Sequence, residues 1–359
     1  MLEQRIFYGG RVKIINMRGK IRIGMDISQL AHTGGVATYT RNLAEQLQKL
    51  QDLEMIFFYS SLRKPYKGEL KNVKKYRLPP TLFEMLFNRW RNVGIEKFIG
   101  SVDIFHSSDW TQPPSKAKKI TTYHDVVPLK YPQWSHPKIV SVHKRRLWWV
   151  EREIDCVIAV SEATKKDLLE VSNIPEEKIV VIYEGPTGNF KPQPEERLRN
   201  FKKKYGLPEK FILSIGGIGE RRNLNRIKEA SRDYNLVIAG VTLPWLGTDE
   251  LELFYGSAQV LLYPSLYEGF GLPILDSFAC GVPVITSSVS SMPEVGGDAA
   301  VYVDPLDIED IKKKLKTVMG DKKMKEVLIK KGFERIKCFS WEKTAEQTYL
   351  VYKKTLKNA

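Results

Sequence analysis

The chain has 359 residues, 42% apolar and 28% charged, which suits about two folded domains and excludes a disordered polymer. Lysine and arginine exceed aspartate and glutamate by 15, and +10 of that excess falls in residues 1–190. Such a surface favours an anionic partner (a sugar nucleotide, membrane lipid or nucleic acid) without choosing among them.

Residues 1–20 lack a signal-peptide core and read as an N-terminal extension. No apolar run approaches the roughly 20 residues of a bilayer span. Cys156, Cys280 and Cys338 are too far apart for a zinc module or a disulfide framework, which points to a reducing, cytoplasmic setting without a bound metal.

Short β-branched runs then alternate with amphipathic stretches. Strands are predicted over Ile21–Ile27, Ile56–Tyr59, Asp103–His106, Ile120–Tyr123, Cys156–Val160 and Val180–Tyr183. They resume over Phe211–Ile215, Leu236–Ala239, Val260–Tyr263 and Val282–Thr286. Most are apolar without alternation, as strands buried on both faces should be. Helices are predicted over Thr38–Leu50, Ile139–Ile154, Ser161–Val171 and Thr248–Ser257. This rhythm predicts an α/β fold of two Rossmann-like parallel-sheet domains, residues 21–190 and 191–338. The proline-rich Lys191–Glu196 marks the boundary, and a final helix occupies 339–359.

Val260–Ser288 (VLLYPSLYEGFGLPILDSFACGVPVITSS) carries the strongest chemical signal. A buried strand ends at Tyr263, a glycine-rich turn follows, and Pro273 suits the first turn of a helix ending near Cys280. Gly269 and Gly271 allow close backbone approach. The N–H groups of Gly271 and Leu272 at the helix start, with the positive end of its dipole, suit a phosphate. Glu268 and Asp276 stand eight positions apart and can face one cleft. Carboxylates beside a phosphate serve better as acceptors from hydroxyl groups, as on a sugar and a ribose. A tight strand–helix turn with capping carboxylates is the plainer alternative.

Glu268-x7-Asp276 resembles the Glu-x7-Glu signature of family 4 (group 1) retaining glycosyltransferases of GT-B fold, with Asp where the second Glu is usual. The resemblance spans about residues 21–356. It implies two domains facing across a cleft, with the C-terminal helix returning to the first. It assigns Glu268, with Gly269 and Phe270, to the donor sugar and Asp276 to the ribose.

Other segments acquire roles through the same resemblance. Glu220-Arg221-Arg222-Asn223 follows a strand and the pair Gly216-Gly217. Guanidinium groups there suit a diphosphate, with Arg222 the first choice and Arg221 the second. Gly34-Gly35 alone reads as a plain turn; the family places a donor-diphosphate turn there. His124, in ITTYHDVVP, alone reads as structural; the family has a catalytic His near the donor sugar. His106, Ser161 and Glu184 read as packing, capping and turn residues, and Glu294 as a loop candidate. Residues 240–249 are shorter than the family's usual passage, which bears on base recognition.

The expected function is metal-independent, retaining transfer of a sugar from a nucleotide-sugar donor to an acceptor hydroxyl on a glycan or lipid-linked saccharide, with no cofactor. Pro137–Arg152, basic and tryptophan-bearing, reads as an ordinary helix and leaves peripheral contact with an anionic membrane open. A sugar-nucleotide epimerase or an inactive nucleotide-binding homologue remains an alternative. A nucleic-acid-binding protein is disfavoured, because no recognised module or aromatic–basic repeat appears.

Overall fold

The computed structural model describes residues 7–8, 11–12, 19–216, 219–243 and 246–357. Gly217, named above, and most of the 1–20 extension lie outside them.

Seven strands form the first sheet: β1 (Ile21–Asp26), β2 (Leu53–Ser60), β3 (Val73–Tyr76), β4 (Ile104–Ser107), β5 (Lys118–Tyr123), β6 (Cys156–Ala159) and β7 (Ile179–Val181). Their spatial order is β3-β2-β1-β4-β5-β6-β7 and every pair is parallel. The second sheet holds β8 (Ile212–Ile215), β9 (Leu236–Ala239), β10 (Val260–Tyr263), β11 (Val284–Ser287) and β12 (Ala300–Val303), ordered β9-β8-β10-β11-β12 and again parallel. Strands β4, β6, β10 and β11 are buried at every position, so both faces must be covered by helices. Each order reverses once, beside β1 and beside β8, and open α/β sheets bind ligands outside the carboxyl ends of the strands at such points.

Five helices position the site: α1 (Gly35–Leu47), α2 (Pro137–Glu153), α3 (Glu162–Val171), α4 (Leu272–Ala279) and α5 (Trp341–Lys357). The last helix returns to the first domain. Its Tyr349 hydroxyl donates to Asp52 at 2.8 Å, Tyr352 lies 2.7 Å from His106 Nδ1, and Trp341 Nε1 donates to the Pro186 carbonyl at 2.7 Å. One apolar cluster runs through both domains, joining Ile23 and Leu43 to Phe270, Leu275 and Tyr352.

Two strands of these two sheets escape the sequence pattern. β3 reads Val-Lys-Lys-Tyr, an edge strand whose lysines are exposed, and β12 is a four-residue edge strand after a glycine-rich turn. The helix predicted over 273–280 begins and ends one residue earlier. The short passage after β9 opens with a tight turn, in which the Val241 and Thr242 N–H groups donate to the Ile238 carbonyl. Among the described residues, no helix is long and apolar enough to cross a membrane.

Candidate functional site

The site is built on two helix starts that meet across the cleft. α1 is preceded by Gly34 at φ 110° and α4 by Gly271 at φ 112°. That region of backbone space suits glycine, because a Cβ would clash there. The Leu272 side chain lies within van der Waals reach of Gly35: a Cβ on Gly35 would sit 3.6 Å from its Cδ1. Two positive dipole ends therefore converge. Among the described residues, the N–H groups of Gly269, Phe270, Gly271 and Leu272 have no protein acceptor. The Phe270 ring packs beside Tyr183 and Phe339, so the backbone of this residue is what faces the turn.

Glu268 is 6% exposed and lies between the two arginines. Arg221 Nη1 donates to Oε2 at 2.6 Å and to the Tyr267 carbonyl at 3.0 Å. Arg222 Nη1 donates to Oε1 and to the Tyr263 hydroxyl. The arginines come from a single helical turn after β8, anchored by Asn223, whose Nδ2 donates to the carbonyls of Pro264 at 2.9 Å and Pro305 at 2.6 Å. The sequence assigns these residues to separate tasks, sugar and diphosphate. The structure joins them in one ion-paired cluster, because two half-buried guanidinium groups need a nearby counter-charge.

Asp276 stands apart. It is 2% exposed, one turn into α4, and accepts from the Thr187 N–H at 2.8 Å and the Thr187 hydroxyl at 2.6 Å. Burial raises its pKa to about 7, against the lowering effect of hydrogen bonds from Thr187 and Tyr255. Glu268 and Asp276 share no hydrogen-bond partner in this conformation: Glu268 meets the arginines, and Asp276 meets Thr187 in the segment that follows β7.

The first domain supplies His124, at the end of β5. Its Nδ1 lies 3.2 Å from Glu184 Oε1, and its ring meets Tyr39 edge-on at 4.6 Å. It lines a cavity of about 10 Å³ together with Asp26, Asp109 and His106. The cleft is closed upon this residue. A Cβ on Gly269 would collide with the His124 carbonyl oxygen. Ser161 and Thr164 hydroxyls donate to the Gly269 carbonyl at 2.6 and 3.0 Å. Glu294 reaches over from the second domain to accept from the Glu162 and Ala163 N–H groups at 2.7 and 3.2 Å, capping α3.

Sequence reasoning therefore missed a contact role for Ser161, Glu184 and Glu294, and missed Tyr263 and Thr187 altogether. Tyr263 was within reach, as a polar-tipped residue ending a buried strand. Thr187 carries no local signal. A surface groove of about 390 Å³, lined by Lys210, Arg232, Asp233 and Asn235, lies at the opposite, amino end of the second sheet. Among the described residues, no group of three or more His, Cys, Asp or Glu side chains is arranged to hold a metal ion.

Paired Rossmann-like sheets, glycine-capped helices meeting in the cleft, and a returning C-terminal helix define the GT-B fold. Family models for Glycosyltransferase Family 4 and for Glycosyl transferases group 1 match residues 33–185 and 164–335. The chain belongs to this family of glycosyltransferases. It is 27% identical over 288 residues to O-antigen chain mannosyltransferase B of Escherichia coli, covering 70% of this chain and 74% of that one. It is 24% identical over 334 residues to O-antigen chain mannosyltransferase RfbU of Salmonella typhimurium, covering 82% and 90%. It spans about a third of the serotype-specific mannosyltransferase WbdA of Escherichia coli, at 26% identity. Sucrose-phosphate synthase from Thermosynechococcus elongatus shares the fold at TM-score 0.76 and 19% identity, over 95% of this chain and all of that one.

Proposed function

We propose that the chain transfers a mannosyl group from a nucleotide-sugar donor to a hydroxyl of a saccharide or lipid-linked saccharide, with retention at the anomeric carbon and without a metal. The observation that carries this is the convergence of two glycine-capped helix starts beside Arg221 and Arg222. The relatives' names support the mannosyl choice.

The donor diphosphate lies against the N–H groups of Gly34, Gly35, Gly271 and Leu272, with Arg222 and Arg221 beside it. As the anomeric C–O bond breaks, negative charge grows on that diphosphate. Preorganised dipoles and guanidinium groups lower its energy there. Glu268 holds the arginines in place and, with the backbone of Gly269 and Phe270, meets the sugar hydroxyls. His124 donates to the sugar from the opposite wall. Asp276 accepts from the ribose once Thr187 yields. The acceptor hydroxyl attacks the face that the phosphate leaves, and the phosphate takes its proton. Closure across Gly269 excludes water and limits hydrolysis of the donor.

Exposed Trp148, with the Arg152 guanidinium 3.5 Å from its ring, and exposed Trp90 support peripheral contact with an anionic membrane surface on the cytoplasmic side.

The test is a donor screen with UDP, GDP, ADP and dTDP sugars, GDP-mannose among them, by thermal shift and nucleotide release. EDTA leaves the rate unchanged, and NMR of the product gives the anomeric configuration. Glu268→Ala lowers nucleotide release by roughly 10²–10³. Failure of every donor to bind, or a Glu268→Ala protein as fast as the parent, overturns the reading.

A further inference from the structure

Glu184 has no task in the mechanism above, yet it is a carboxylate only 3% exposed at the junction of the two domains. A buried carboxylate requires a partner, and the partner is His124 Nδ1 at 3.2 Å. We propose that Glu184 is a positioning residue: it fixes the His124 ring through Nδ1 and keeps a proton on Nε2, which then presents an N–H to the cleft. This rests on the reading of His124 as a ligand of the donor sugar.

Three observations hold the pair in place. Glu184 sits in a clamped backbone. The Tyr183 carbonyl accepts from the Thr344 hydroxyl at 2.7 Å, the Pro186 carbonyl accepts from Trp341 Nε1 at 2.7 Å, and Gly185 is pressed against the Trp341 indole. The His124 ring is limited on another side by the edge of Tyr39, so rotation about its bonds is restricted. Nε2 has no protein partner among the described residues, while His124 lines the small cavity at the carboxyl end of the first sheet.

The surrounding charges act in the same sense. Burial works against the imidazolium, but the hydrogen bond and charge of Glu184, then Asp109 beyond β4 and the adjacent Asp125, outweigh it and raise the His124 pKa above its ordinary value. Tyr39 on α1 contributes only its ring edge. His106 at the end of β4 is held neutral, with its pKa near 3, by burial first and by His124 second. A neutral imidazole bonded through Nδ1–H to a carboxylate has a bare Nε2 that accepts. The charged form donates from both nitrogens. Glu184 therefore decides whether the cleft meets a donor or an acceptor.

The experiment uses Glu184→Gln and Glu184→Asp in the full chain. Gln keeps the hydrogen bond to Nδ1 and removes the charge. Imidazole signals are followed by NMR against pH; there are five histidines, and His124→Asn assigns the relevant one. Nucleotide release from GDP-mannose is followed over the same range. In Glu184→Gln the His124 titration moves to lower pH. The rate at pH 8 falls roughly tenfold and returns to within about twofold of the parent near pH 6, with Glu184→Asp in between. An unchanged His124 titration overturns the pairing. A shifted titration with an unchanged pH–rate profile overturns its service to the reaction. Full activity of His124→Asn removes instead the reading of His124 on which the proposal rests, and the titration still tests the pair without any donor.

Discussion

Gly269→Ala acts on the closed cleft alone. The added methyl group would meet the His124 carbonyl oxygen, a backbone atom with little room to retreat, and the residue's φ lies outside the left-handed region, so the clash is the only penalty. Relief requires the domains to part. Parting breaks the hydrogen bonds from Ser161 and Thr164 to the Gly269 carbonyl and those from Glu162 and Ala163 to Glu294. At about 1 kcal/mol net for each, the change is ~4 kcal/mol. That is about a thousandfold in the ratio of closed to open forms. Small-angle scattering should show a larger radius of gyration, and nucleotide release should lose at least about tenfold in kcat/KM. The circular dichroism should not change, because each sheet keeps its covering helices. Gly320→Ala, where the methyl group meets nothing within 4 Å, is the control. Scattering and kcat/KM both superimposing on the parent would refute the closed contact as a functional one.

Arg222→Met removes one of two guanidinium groups from the Glu268 carboxylate and a donor from the Tyr263 hydroxyl. Turnover should fall by roughly 10²–10³ with a smaller change in donor KM, and urea denaturation should show a loss of a few kcal/mol, since a buried carboxylate loses one of its two guanidinium partners. Asp276→Asn tests the buried acid through pH. The folded pKa of Asp276 is raised to about 7, so its protonated form favours the folded state below the unfolded value of about 4, and that contribution is lost as pH rises toward 7. The parent should therefore lose stability relative to Asp276→Asn between pH 4 and 8 in urea titrations. A difference independent of pH would show that Asp276 ionises as freely in the folded chain as in the unfolded one.

The sheets were legible because their central strands are short, apolar on both faces and punctuated by glycine and proline, a pattern that survives without knowledge of neighbours. β3 was hidden because an edge strand has one unpartnered side and tolerates Lys74 and Lys75. The turn at Gly269–Leu272 was legible for a similar reason: glycine at a positive-φ cap and proline in the first turn are local demands. The partnerships were not. Glu268 with Arg222 spans 46 positions, Asp276 with Thr187 spans 89, and His124 with Glu184 spans 60. Periodicity cannot report such distances, and a carboxylate looks alike in sequence whether it meets a sugar, a guanidinium group or a threonine. The returning helix was foreseen from its apolar spacing together with the family resemblance, since an amphipathic segment must find a surface somewhere.

Because α5 docks on the first domain, the polypeptide crosses between the lobes twice, once after β7 and once before Trp341. A single crossing would leave a tether, free to swing and twist. Two crossings side by side, joined where Trp341 grips Pro186, make an axle. Such a hinge favours opening about one line, which would bring the same glycine, serine and glutamate surfaces back into register on closing.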